Sequence, residues 1–375
     1  MVNEVESIAE ELKKYSFEIG PIRPPSESKS LLIRVTMNCP WSRCRFCYGS
    51  FYNREKFRIR NVGEVTRDID VISKIVILIS SLSKLLGGLD WVEEIINPIY
   101  LYGKSFFELN QNEFKNYICL SNVLMWMKSE MKTVFLQDAD NMTVKTDDLV
   151  KIISYLKEKF PSIERISSYA RSKSTAYRKL DDLITLRKAG LSRLHIGLET
   201  GDNELLTYVN KGVTAKEHIR AGKKVMEAGI ELTEYVMPGL GGRKFWKQHA
   251  LNTAKVLNAI NPTYIRFRRF VPKPGTPMYK DWRTGKLKLL SSHELLIEIK
   301  LLIENLNVTS RVCFDHFINP AFKLNGKIIH LFSQSYEGYK FPEEKDKVLN
   351  LIKQGLKIDE SLWITTEELV DKAII

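Results

Sequence analysis

The chain of 375 residues contains only five cysteines, and three of them fall within nine positions. An odd number, clustered in this way, excludes the disulfide framework of a secreted protein. It favours a metal or redox site in a reducing compartment. No stretch reaches the roughly 20 apolar residues that a membrane span needs. The most apolar one, Ile75 to Leu89, is interrupted by Lys84 and by serines. Met1 to Lys14 is acidic and amphipathic, where a secretory signal is basic and then apolar. The expected location is the cytoplasm, with no membrane span. Blocks of five or six basic residues are also missing, so the net charge of +12 is dispersed. Such a balance suits nucleic acid, anionic lipid or an acidic small substrate, and equally a merely basic surface.

What is present is enough for a full core: 44% of residues are hydrophobic and 27% are charged. Nothing in that composition reads as disordered. Residues 1–30 read as a leader, with one amphipathic helix and then Pro21-Ile-Arg-Pro-Pro25. Leu31-Leu-Ile-Arg-Val35 is a compact apolar strand. Residues 63–131 carry helical periodicity. Strands are then expected at 134–136, 164–170, 193–198, 230–237 and 264–270. Helices are expected between them near 146–159, 177–189, 203–209, 215–228 and 245–260. Strands alternating with helices of this length imply βα units and a parallel sheet. The fold expected is α/β, a partial (β/α)6 TIM-type barrel over 31–280. It has a helical insertion at about 63–131 and a mostly helical extension over 281–375. Such folds place chemistry at the C-terminal ends of their strands.

The cysteine cluster directly follows the first strand: Asn38-Cys39-Pro40-Trp41-Ser42-Arg43-Cys44-Arg45-Phe46-Cys47. Its spacing is C-x4-C-x2-C. Three thiolates on one short loop can ligate three irons of a [4Fe–4S] cluster and leave the fourth open. Structural zinc is the rival reading, but it asks for four ligands, commonly as two separated pairs. Cys119 and Cys313 stand alone and read as small buried hydrophobes.

This cluster resembles the signature of the radical S-adenosylmethionine (SAM) superfamily, C-x3-C-x-aromatic-C, with Phe46 at the aromatic position and one extra residue in the first gap. Four further segments strengthen the resemblance: Leu194-His-Ile-Gly-Leu-Glu-Thr-Gly-Asp202, Asn210-Lys-Gly-Val213, Met237-Pro-Gly-Leu-Gly-Gly242 and Val271-Pro-Lys-Pro-Gly-Thr-Pro277. They look like the core of the subgroup containing oxygen-independent coproporphyrinogen oxidases, Elp-type enzymes and methylthiotransferases. The resemblance implies a [4Fe–4S] cluster on Cys39, Cys44 and Cys47. It also implies SAM on the open iron, cleaved by one electron to give a 5′-deoxyadenosyl radical. Ferredoxin or flavodoxin is the implied kind of electron donor.

The resemblance also assigns SAM contacts. Phe46 lies beside the cluster. The usual Gly-Gly-Glu after the second strand is replaced by Phe135-Leu-Gln-Asp-Ala-Asp-Asn141, where Gln137, Asp138 and Asp140 are the candidates, Asp138 first, and helix capping by Asn141 or Asp140 is the rival reading. Glu199, Lys211, Gly239 and Gly241 complete the set. Strand alternation puts Arg193, His195, Gly197 and Glu199 on one face. The same parity points Tyr169, Arg171, His195, Arg266 and Arg268 into the lumen. A basic, aromatic lumen suits an anionic substrate, a small molecule or RNA. A non-catalytic metal-binding or nucleic-acid-binding protein is the reading from a different class. The absence of a second cysteine trio disfavours sulfur insertion.

Overall fold

Apolar spacing and paired caps build the first of two compact units, which takes residues up to 37, 58–168 and 188–192. The computed structural model describes residues 2–47, 49–50 and 53–371. Helix α1 (Val2–Leu12) buries Val5, Ala9 and Leu12 at helical spacing. Strand β1 (Leu31–Arg34) is followed by β2 (Thr36–Met37), which pairs antiparallel with β3 (Arg58–Ile59). An Asn61–Glu64 capping box opens α2 (Val62–Leu86). That helix buries Val65, Ile69, Ile72, Ile75, Ile79 and Leu82, and ends at Gly87 in the left-handed region. Helices α3 (Leu89–Ile96), α4 (Pro98–Tyr102) and α5 (Gln111–Lys128) complete the helical insertion. Strand β4 (Thr133–Gln137) then pairs parallel with β1, from Leu31↔Val134 to Arg34↔Gln137. Helix α6 (Thr146–Lys159) leads to β5 (Arg165–Ala170), parallel to β4.

The second unit takes residues 38–57, 169–187 and the chain from 193. From α7 (Ser172–Tyr177) and α8 (Leu180–Ala189) the chain enters β6 (Leu191–Glu199). It continues through α9 (Asn203–Tyr208), α10 (Ala215–Glu227), β7 (Glu231–Val236), α11 (Gly242–Ile260) and β8 (Tyr264–Phe267). Next come α12 (Pro277–Arg283), α13 (Ser292–Glu304), β9 (Arg311–Cys313), β10 (Ala321–Leu324), β11 (Lys327–His330), β12 (Tyr339–Lys340), α14 (Lys345–Gly355) and α15 (Thr366–Asp371). Strands β6, β7, β8 and β9 are parallel neighbours, and β12 closes on β9 antiparallel. Leu194, Ile196, Leu198, Leu232 and Ile265 are fully buried, as strands covered by helices demand.

The α/β class with a mostly parallel sheet is what the sequence predicts, and all six expected strands are present. Three details differ. The helix expected near 177–189 runs over Leu180–Ala189, and a further short helix, Ser172–Tyr177, precedes it and ends at Arg178 in an extended backbone. Strand β8 ends at Phe267, so Arg268 lies beyond the alternation used to place it. The tail holds β9 to β12 besides its helices, including a hairpin turned by Asn325 and Gly326, both at positive φ. Among the described residues no helix is long and apolar enough to cross a membrane.

Candidate functional site

The cysteine loop leaves β2 through Asn38 (φ 68°), whose side-chain amide donates to the Lys56 carbonyl at 2.9 Å. Ser42 takes φ 45°, and its hydroxyl donates back to the Cys39 carbonyl at 2.9 Å. A turn then bonds the Cys47 N–H to the Cys44 carbonyl at 3.0 Å. Burial pushes the Cys44 thiol up to about 11, while Lys211 and Arg171 pull the other way. Burial also raises Cys47, opposed by its hydrogen bond from Gly49 and by Lys211. Among the described residues no three His, Cys, Asp or Glu side chains converge on a single ion. The three thiols nonetheless share one loop and one electrostatic neighbourhood. A cluster needs that arrangement, because each thiolate serves a separate iron. The nearby cations complement the negative charge such a cluster carries with its thiolates.

Beside the cysteines lies an ion pair. The register of β6 against β7 shifts between Gly197 and Glu199, and Glu199 itself adopts φ 61°. This kink turns its carboxylate onto the Lys211 ammonium, Oε1 to Nζ 2.9 Å, with both side chains only 13% exposed. Burial opposes the charge on Lys211, but Glu199 and Cys44 outweigh it and hold the ammonium pKa above its ordinary value. The same ammonium sits 5.5 Å from the centroid of the Phe46 ring. Gly197 makes the pair possible, since a β-carbon there would stand 2.3 Å from Glu199 Oε1.

The glycine turn after β7 is held from behind. Gly239 (φ 83°) donates its N–H to Glu298 Oε1 on α13 at 2.7 Å. Burial pushes Glu298 up to about 8. His249 on α11 shares a hydrogen bond between Nδ1 and the Thr200 hydroxyl, 2.8 Å, one residue past Glu199. Burial lowers His249 to about 4. His249 Nε2 lies 3.7 Å from Glu298 Oε1. Between those two values both groups are neutral, so the contact is not an ion pair. Gly241 packs against Phe245 and Leu205, where a β-carbon would meet Phe245 at 2.7 Å. Its place is explained by helix packing.

The remaining predicted residues fall in different places. In the first unit Gln137 is spent on the N-terminal segment: it accepts from the Gly20 N–H at 2.8 Å and donates to the Gly20 and Ile22 carbonyls. Asp138 is buried against Arg34 Nε at 2.8 Å. Both hold structural bonds that the sequence does not announce. Asp140 is buried, and Asn141 bonds the Leu136 carbonyl and Ser168 without capping a helix. In the second unit Tyr169, His195 and Tyr235 form a ring ladder across β5, β6 and β7, with successive centroids 6.2 Å apart. Arg171 donates to the Lys211 carbonyl at 2.8 Å. Arg266 corrects the lumen expectation, because it is buried in an ion pair with Asp315 and donates to the Tyr336 carbonyl. With its side chain 1% exposed and that of Asp315 3%, this pair is shut away from a substrate, unlike the partly exposed Glu199–Lys211 pair. Arg268 is half-buried and has no ion pair among the described residues.

Sequence reasoning missed Trp41, Gly197, His249, Glu298 and Glu234. Glu234 on β7 is fully buried, with no hydrogen bond to either carboxyl oxygen. Burial holds it well above the usual carboxylate range. The structure therefore brings together Cys39, Cys44, Cys47, Phe46, Arg171, Glu199 and Lys211.

The chain is 24% identical over 115 residues to a tRNA uridine(34) acetyltransferase of Methanocaldococcus jannaschii, covering 29% of this chain and 20% of that protein. It is 23% identical over 162 residues to the heme chaperone HemW of Bacillus subtilis, covering 43% and 42%. The matched segments thus span well under half of these relatives. A solved structure of Methanocaldococcus infernus Elp3 superposes with a TM-score of 0.43 at 14% identity, over 60% of this chain and 54% of that one. Residues 120–252 match the sequence model of the Radical SAM superfamily, a stretch that begins after the cysteine loop. Over that stretch, about a third of its length, the chain is similar to the radical SAM superfamily.

Proposed function

We propose that the chain is a radical SAM enzyme acting on an anionic substrate. The observation that carries this reading is the cysteine loop with the Glu199–Lys211 pair beside it. Cys39, Cys44 and Cys47 would hold a [4Fe–4S] cluster. When bound, that cluster supplies one electron to the SAM sulfonium and so a carbon radical that takes hydrogen from substrate. The protein's own residues orient the cofactor. Glu199 offers a carboxylate to an ammonium or to ribose hydroxyls. Lys211 offers a cation to a carboxylate, and Gly239 lets backbone approach a flat ring. Arg268 and Lys273, on the segment after β8, supply positive charge for the substrate. Lys273 shares the neighbourhood of Cys47 and Arg268, with burial lowering its ammonium pKa first. A small electron-transfer protein such as ferredoxin or flavodoxin is the matching partner, and the cytoplasm the matching compartment.

Anaerobic reconstitution with iron and sulfide tests the reading. The expected product is a brown protein with about four irons per chain, which releases 5′-deoxyadenosine when given dithionite and SAM. A colourless chain that takes up zinc instead would end the proposal.

RNA is the second substrate class, and one feature favours it. A surface cavity of about 380 Å³ is lined by Arg243, Lys244, Lys286 and Lys288 around Tyr208, Gly241 and Phe245. Four cations on one concave face suit a phosphate backbone. Relatives also carry tRNA in their names, among them the acetyltransferase above and a tRNA-2-methylthio-N(6)-dimethylallyladenosine synthase of Ehrlichia chaffeensis.

A further inference from the structure

We propose that the extra residue in the C-x4-C loop builds a tryptophan clamp, in which Trp41 fixes the backbone on the N-terminal side of Lys211 and thereby positions the Lys211 ammonium for SAM. The inference rests on the radical SAM reading and adds a positioning residue to it.

Four residues lie between Cys39 and Cys44. Ser42 absorbs the additional length by turning through positive φ and bonding back to Cys39. Trp41 thereby reaches the turn at 210–212. Its indole N–H donates to the Asn210 carbonyl at 2.7 Å. Its ring lies over Gly212, where a β-carbon would stand 2.6 Å from two ring carbons. Gly212 also adopts φ 71°, so a side chain is excluded there on two counts. The Arg171 guanidinium is 5.5 Å from the Trp41 ring centroid, and its Nη2 donates to the Lys211 carbonyl at 2.8 Å. The Asn210 carbonyl belongs to the peptide before Lys211, and the Lys211 carbonyl to the peptide after it. Both peptide planes that flank the Lys211 α-carbon are thus fixed, one by Trp41 and one by Arg171. Arg171 is held in turn over the Trp41 ring by cation–π attraction. Asn210 returns a bond to the Arg43 carbonyl at 3.2 Å, and the Arg45 N–H donates to Val209 at 2.8 Å. The cysteine loop and the Lys211 turn are therefore tied together by three hydrogen bonds. The bonds made by Trp41, Arg171, Asn210 and Arg45 involve no cysteine sulfur, while the Ser42 N–H approaches Cys39 Sγ at 3.5 Å, so the clamp proper acts on the SAM side of the site.

The test uses the full chain, reconstituted anaerobically, as wild type, Trp41→Ala, Trp41→Phe and Gly212→Ala. Iron content and visible absorbance report the cluster. The paramagnetic resonance of the dithionite-reduced protein, titrated with SAM, reports cofactor binding. All four proteins should hold equal iron. Trp41→Ala and Gly212→Ala should need about tenfold more SAM for the half-maximal spectral change. Trp41→Phe should fall between them and wild type, since it keeps the ring and loses the N–H donor. An unchanged SAM titration in Trp41→Ala overturns the clamp. So does a loss of iron that parallels the loss of SAM response, which would make Trp41 a support for the cysteines alone. If wild type itself shows no response to SAM, the functional reading fails first and the clamp falls with it.

Discussion

At Gly197 the missing side chain is what lets Glu199 meet Lys211. A methyl group there would lie 2.3 Å from Glu199 Oε1 and 3.1 Å from Lys211 Nζ. Gly197→Ala must therefore push the carboxylate off the ammonium. Both groups then leave the positions from which they would contact SAM, and SAM affinity should fall by roughly tenfold. The cysteine loop is not touched, and iron content should stay at the wild-type level. A Gly197→Ala protein with wild-type SAM affinity would remove Gly197 from the site's design. The residues that carry the site differ in how visible they are in sequence. Cys39, Cys44 and Cys47 are legible by spacing alone, and Glu199 by its place at a strand end. Trp41 and Gly212 are not, because their roles exist only when residues about 170 positions apart meet. Arg266 was misplaced for the same reason: Asp315, which neutralises it, follows a three-residue strand that no periodicity reveals.

Among the elements, α11 holds Thr200, next to Glu199, through His249, and α13 holds the Gly239 turn through Glu298. Glu298 is raised by burial to about 8, against an ordinary value of 4.5. Its folded state therefore binds more protons than the unfolded chain between those values. Stability from this group is complete below about 4.5 and is lost as the pH climbs through about 8. Glu298→Gln keeps an oxygen to accept from Gly239 and never ionises. It should leave the melting temperature nearly unchanged near pH 5 and raise stability by roughly 2–4 kcal/mol above pH 8.5. Thermal melts of both proteins across pH 5–9 check this, and a variant that is equally destabilised at both ends contradicts it. The elements themselves were mostly legible. Helix α2 announces itself through aliphatics at three- and four-residue spacing and an Asn61–Glu64 cap. The Asn325-Gly326 turn is also a hairpin signal that the sequence contains. Strands β9 and β12 are too short, at three and two residues, for any alternation to show. Their pairing is decided by neighbours, which a linear pattern cannot hold.

For the molecule as a whole, a net charge of +12 separates the two substrate classes by their salt dependence. A small anion held by Arg268 and Lys273 contacts few charges, and its binding weakens little with salt. An RNA backbone releases counterions in proportion to the phosphates contacted, with a slope near 0.7 per phosphate for single strands. The cavity with Arg243, Lys244, Lys286 and Lys288 concentrates that charge on one face. Arg243 is already paired with Glu294 at 2.9 Å, which leaves the three lysines as the stronger phosphate contacts. Reversing them together, as Lys244→Glu, Lys286→Glu and Lys288→Glu, should therefore lower RNA affinity and flatten the log–log salt slope by about 2. Fluorescence anisotropy with a labelled RNA between 50 and 300 mM salt, conditions set by about one Debye length, measures both. The SAM response of the same protein serves as the control, since the three lysines lie outside the Glu199–Lys211 pair. Equal slopes for wild type and the triple variant would take RNA off this face. The substrate would then be the smaller anion, read by the cations beside the cysteine loop.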